Sequence, residues 1–134
     1  LLTLLGLAVV TLILPTSQAL NTEHEAQIAW ARILAQHVDS RGRVDFDGLA
    51  RAPADLEAYV DWLGGHGPRS TPAAYTSPAA VLAYHLNAYN ALAMRTVLRA
   101  GPRGVLNAWR RTKAFALTPQ RVDGGWTTLY FFEN

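Results

Sequence analysis

The chain has 134 residues, half of them hydrophobic and 16% charged, with a formal net charge of +2 and no cysteine. That length suits one small domain, and the composition is that of a folded chain rather than a disordered one. The lack of cysteine excludes disulfides, thiolate zinc sites and a cysteine nucleophile.

The chain opens on "LLTLLGLAVVTLILPTSQAL". Leu1 to Leu14 is an apolar run of the length of a signal-peptide core, ended by Pro15. Ser17-Gln18-Ala19 offers small residues for cleavage. The run is short of the roughly 20 apolar residues that span a bilayer. Residues 1–19 therefore read as a partial signal peptide that opens inside the signal, and 20–134 as one exported domain, periplasmic or extracellular. No stable membrane span is expected after cleavage.

"NTEHEAQIAWARILAQHVD" reads as a first helix, with Thr22 and Glu25 spaced as a capping box. Ile28, Ala31, Leu34 and Ala35 give one apolar stripe, with Trp30, Ile33 and His37 beside it. After a turn at Ser40-Arg41-Gly42, "RVDF" suits a short extended segment and Asp47 a cap. Pro53 starts another helix, with Leu56, Tyr59, Val60 and Leu63 inward and Gly64-Gly65 as its stop. Residues 64–76 form a loop, with one helical turn after Pro72. Ser77-Pro78 pairs a hydroxyl cap with proline at the first helical position, and Gly101-Pro102 ends that helix. "VLNAW" suits a short helix, Asp123-Gly124-Gly125 a hairpin turn, and Thr127 or Thr128 a cap for a last helix. The expected fold is α+β and mainly helical. A central buried helix spans about 78–100, with helices packed on it and a small C-terminal β-hairpin.

Within that central helix, "LAYHLNAYNALAMRTVL" closely resembles the signature helix of the domain of unknown function 547 family. Leu82, Ala83, Asn87, Ala88, Tyr89, Asn90, Ala91 and Leu92 match its pattern in order, while Tyr84, His85 and Leu86 replace the usual Phe-Trp-Ile. "GRVDFDGLA", "GPRGVLNAW" and "RVDGGWTTLYFFEN" resemble flanking segments of the family, so the likeness covers residues 25–134. Two positions depart: Tyr130-Phe131 stands for the family's Asp-Asp, and Asn134 for its following His. The family pattern continues past Asn134, so the resemblance implies a chain that is incomplete at its C-terminus. Bacterial members are often exported, and the family carries no established activity.

Asn87 and Asn90 lie three apart, on one face of a helix that is apolar almost everywhere else. A buried carboxamide without partners costs roughly 1–3 kcal/mol, so both are expected to meet loop backbone, Asp45 or the Thr127–Leu129 turn. Either the pair fastens irregular backbone to the helix, or Asn87, Asn90, Tyr84 and His85 line a ligand pocket. Tyr89 points away from the asparagine face, toward the core.

No set of histidines and carboxylates has the spacing of a metal site, and no cofactor motif occurs. Asp45-Phe46-Asp47 opens like a calcium loop but lacks the remaining ligands. A Ser77–His85–Asp45 triad can be drawn, with nothing in the spacing to support it.

Charge is uneven along the chain. Residues 1–61 carry eight acidic and four basic residues; residues 62–134 carry two acidic and eight basic. Between Asp61 and Asp123 there is no carboxylate. The halves either face each other in one fold or leave Arg95, Arg99 and Arg103 to hold an anionic ligand. An exported chain without a binding motif is not expected to meet nucleic acid. The function expected is a binding or structural module of the bacterial envelope, its partner an envelope ligand or protein. The alternative is a hydrolase or transferase on an envelope substrate, with part of its site beyond the C-terminus.

Overall fold

The computed structural model describes residues 20–100, 113 and 115–130. Over these residues the chain is α+β and mainly helical, with one two-stranded antiparallel sheet. Its elements are α1 (Glu23–His37), α2 (Phe46–Arg51), α3 (Ala54–Leu63), a 3-10 turn (Pro72–Ala74), α4 (Pro78–Ala100), β1 (Gln120–Val122) and β2 (Gly125–Thr127). The expected signal segment 1–19 and the "VLNAW" helix lie outside the described residues.

Local signals set most boundaries. The Thr22 hydroxyl accepts from the Glu25 amide at 3.1 Å, and the Glu25 carboxylate accepts from the Thr22 amide at 3.1 Å, closing the capping box. The Ser77 hydroxyl accepts from the Ala80 amide at 3.1 Å and starts α4 beside Pro78. The short α2 is capped by Asp45, not Asp47: the Gly48 amide donates to Asp45 Oδ1 at 2.9 Å. The Asp45 amide is tied to the His37 carbonyl at 2.8 Å, which fixes it just outside the helix, whereas Asp47 is already inside the first turn. "RVDF" is extended, as expected, through a bridge between Val44 and Val38. Leu129 and Tyr130 open a helical turn behind Thr127 and Thr128.

The core forms around α3, which packs on α1, on α4 and on β1. Leu56, Tyr59, Val60 and Leu63 are buried, and Ala58 and Trp62 join them. On α1 the buried stripe is Ala26, Ala29, Trp30 and Ile33, while Ile28 is 45% exposed. The expected stripe through Ile28 is therefore corrected by about one position. The two alanines take the buried positions, and Ile28 faces away. Ile33, Leu49, Leu56, Leu63, Leu92, Leu129 and Val60 are the largest fully buried side chains. Each stabilises by about 1.5–3 kcal/mol over its exposed state.

α4 joins this core along one side only, through Tyr84, Ala88, Ala91, Leu92, Met94, Arg95 and Thr96. The other side, with Leu82, Leu86 and Asn90, is exposed. The hairpin pairs Gln120 with Thr127, Arg121 with Trp126 and Val122 with Gly125. Its two-residue turn places Asp123 and Gly124 at φ 52° and 74°, the left-handed pair that a tight hairpin needs. Among the described residues no helix is long and apolar enough to cross a membrane.

Candidate functional site

Three polar clusters are built on this frame, and they differ in how fully their groups are paired. The first is a cleft of about 140 Å³ between α1, α3 and α4. Glu23 and Gln27 come from successive turns of α1, Tyr59 and Trp62 from α3, and Tyr75 from the end of the 3-10 turn. Ala80, Ala83, Tyr84 and Asn87 come from a single stripe of α4 at helical spacing. Gln27 Nε2 donates to Glu23 Oε1 at 3.1 Å.

Aromatic rings hold the walls. Trp30, Tyr59, Trp62 and His66 form a near-parallel stack, with centroid separations of 5.0, 6.1 and 4.8 Å. His66 Nδ1 lies 2.9 Å from the Trp62 carbonyl, which fixes the end of the stack. Tyr75 meets Tyr84 edge to face at 5.2 Å. The Tyr84 hydroxyl and the Trp62 indole nitrogen are buried without a hydrogen-bond partner. Native interiors seldom leave such groups unpaired. Burial pushes the Tyr59, Tyr75 and Tyr84 phenols up, Tyr75 to about 12, and the carboxylates of Glu23 and Asp123 add to the rise at Tyr75. The phenols remain protonated donors at neutral pH.

Of the four residues nominated by the motif, the structure brings Tyr84 and Asn87 into this cleft. Tyr84 is 5% exposed and Asn87 half-buried. Asn90 is exposed, and so is His85, whose ring touches its neighbour Tyr84 at 5.3 Å. Among the described residues neither asparagine carboxamide makes a hydrogen bond. The expectation that both meet loop backbone, Asp45 or the Thr127–Leu129 turn is thus corrected. Asn90 instead follows Leu82 and Leu86 at four-residue steps, along the exposed side of α4. Tyr89 packs half-buried against the core.

The second cluster was not legible in the sequence. Asp123, in the hairpin turn, accepts from the Arg69 amide at 2.8 Å, the Ser70 amide at 2.7 Å and the Ser70 hydroxyl at 2.7 Å. Its own amide donates to the Leu63 carbonyl at 2.8 Å, and its carbonyl accepts from Arg69 Nη2 at 2.9 Å. Partial burial opposes its charge, but the hydrogen bonds from Ser70 and the Arg69 amide outweigh it and hold the carboxyl below the usual carboxylate range. This clamp ties the loop after α3 to the hairpin. Gly67 fits under it: a Cβ there would lie 2.6 Å from Asp123 Cγ and 2.7 Å from the Tyr84 hydroxyl.

The third cluster joins α3, α4 and β1. Arg95 is 7% exposed and donates through Nη2 to Gln120 Oε1. Its Nη1 lies 3.9 Å from Glu57, which also takes Arg99 Nη2 at 3.0 Å. The Thr96 hydroxyl donates to the Leu92 carbonyl at 2.8 Å and accepts from Gln120. Burial, and then Arg99, lowers the Arg95 guanidinium from its ordinary value. Arg95 and Arg99 therefore already have internal partners, and Arg103 lies outside the described residues. This supports the two halves facing each other in one fold.

Ser77 and Asp45, drawn with His85 as a paper triad, are each committed to a helix cap. Among the described residues no group of three or more histidines and carboxylates is placed to hold a metal.

No family model, no curated protein and no solved structure matches this chain.

Proposed function

We propose that this chain is an exported binding module of the domain of unknown function 547 type, and that it takes a small ligand in the cleft at Tyr84 and Asn87. One observation carries this reading. Two residues of the motif helix, nominated from sequence, line the same cleft as Gln27 of α1, Tyr59 and Trp62 of α3 and Tyr75, and two buried donors of its walls are unpaired. A carboxamide that makes no hydrogen bond among the described residues and sits at the edge of such a cleft is able to bind from outside. Aromatic walls with a few convergent polar groups are the usual make-up of a small-ligand site. The export half of the proposal rests on the apolar run Leu1–Leu14.

These groups bind and orient, which supports a binding module further than the hydrolase or transferase alternative. The test compares the whole chain with Asn87→Ala and Asn90→Ala, using ligand-detected NMR and a small set of amines, amides, sugars and carboxylates. The expected result is binding that Asn87→Ala weakens at least tenfold and Asn90→Ala leaves unchanged, with unfolding midpoints unaltered. Unfolding of Asn87→Ala, or binding indifferent to it, would overturn the reading.

A further inference from the structure

We infer that the cleft selects a primary ammonium group, an inference that rests on the ligand-binding reading above. Among the described residues Glu23 is the one formally charged residue on the lining, and no basic side chain shares it. Gln27 donates its amide nitrogen to Glu23 Oε1, which leaves Glu23 Oε2 and Gln27 Oε1 as acceptors. The Asn87 carboxamide oxygen is a third, unused by any described residue. Burial, and then Glu23 and Asp123, push the Tyr75 phenol up, so both carboxylates lie near enough to oppose a bound anion.

Two further observations narrow the cation. Tyr59 stacks on Trp30 and Trp62 on His66, with centroids 5.0 and 4.8 Å apart, so each gives up one face. The stack therefore leaves less open π face to attract a cation. A quaternary ammonium cannot donate and depends on such faces. A primary ammonium has three N–H donors and can reach the acceptor oxygens directly. The volume, about 140 Å³, admits a head group of a few atoms, with the rest of the ligand outside. A free alkyl diamine and a lysine side chain on a peptide carry this same head.

The experiment is an NMR titration of the whole chain at constant ionic strength, following the Trp62 indole N–H and the Asn87 side-chain amide. The probes are n-butylamine, tetramethylammonium, N-butylacetamide and butyrate. n-Butylamine is expected to shift both signals saturably and the other three to leave them in place. Glu23→Gln should weaken n-butylamine at least tenfold, and Glu23→Asp should restore most of the affinity. If Glu23→Gln binds n-butylamine like the wild type, or if tetramethylammonium or N-butylacetamide binds as well, the ammonium inference fails while the cleft reading stands. If no probe moves either signal, both fail. Cadaverine and Nα-acetyl-lysine amide then separate the sources: preference for the first assigns a free diamine, and for the second a peptide lysine.

Discussion

Asp123 and Glu23 are both carboxylates beside the Tyr75–Tyr84 wall, yet the structure treats them in opposite ways. Asp123 accepts three hydrogen bonds from two consecutive residues of a distant loop, and its backbone joins the same contact. Glu23 accepts one, from its neighbour one turn along α1, and stands over a cleft whose buried donors are unpaired. A fully paired carboxylate in a turn holds the fold together. A partly paired one at a cavity mouth is available for something else. Saturation of hydrogen bonds, more than residue type, separates these two carboxylates.

The largest effect expected from this contrast is at the clamp. Asp123→Ala removes three acceptor contacts and places a non-glycine without a local hydrogen bond at φ 52°, and should cost about 2–4 kcal/mol, read from urea unfolding. A loss under about 0.5 kcal/mol would break the contrast. Gly67→Ala should cost about 1–3 kcal/mol, because its methyl group meets the backbone-anchored Asp123 and the Tyr84 hydroxyl.

The clamp also fixes a pH dependence. The Asp123 carboxyl sits below its unfolded value, so its contribution is complete above the unfolded pKa of about 3.9 and is lost as pH falls through the lower folded value. Stability should therefore decline as pH drops from about 5 toward 2. Glu25 and Asp39 are also held low by hydrogen bonds, mainly from the backbone of Asn21 and Thr22 and of Arg43, and act in the same direction. The informative quantity is the difference between wild type and Asp123→Asn, whose profile should be flatter. The smallest effects belong to the asparagines: Asn87→Ala and Asn90→Ala should each change stability by less than about 0.5 kcal/mol.

Features written within one turn of the chain were legible in the sequence. The Thr22–Glu25 box, the Ser77-Pro78 start, the Gly64 stop and the Asp123-Gly124 turn depend on neighbours a few residues apart, and each appears where expected. Features that depend on which face meets which partner were not. The α1 stripe was misplaced because Ala26 and Ala29 carry little hydrophobic weight in a sequence yet are buried beside Trp30 and Ile33. Asn90 was expected inside because its neighbours are apolar, but Leu82 and Leu86 on that side are exposed as well. The Asp123 clamp spans 54 residues to Arg69, a separation at which no local pattern reports. Of the site, Tyr84 and Asn87 were legible through the motif helix. Glu23, Gln27, Tyr59, Trp62 and Tyr75 were read as helix or loop residues because only the packing of α1 on α3 brings them together.

The most direct test fills the cleft without touching its hydrogen bonds. Ala83 lines it from the solvent side of α4, so Ala83→Leu places three extra carbons in the space with little cost to the core. With n-butylamine and the mixed fragment set as probes, binding to the whole chain should fall at least tenfold while the unfolding midpoint holds. Unchanged binding to a folded Ala83→Leu protein would contradict the assignment of the cleft as the site.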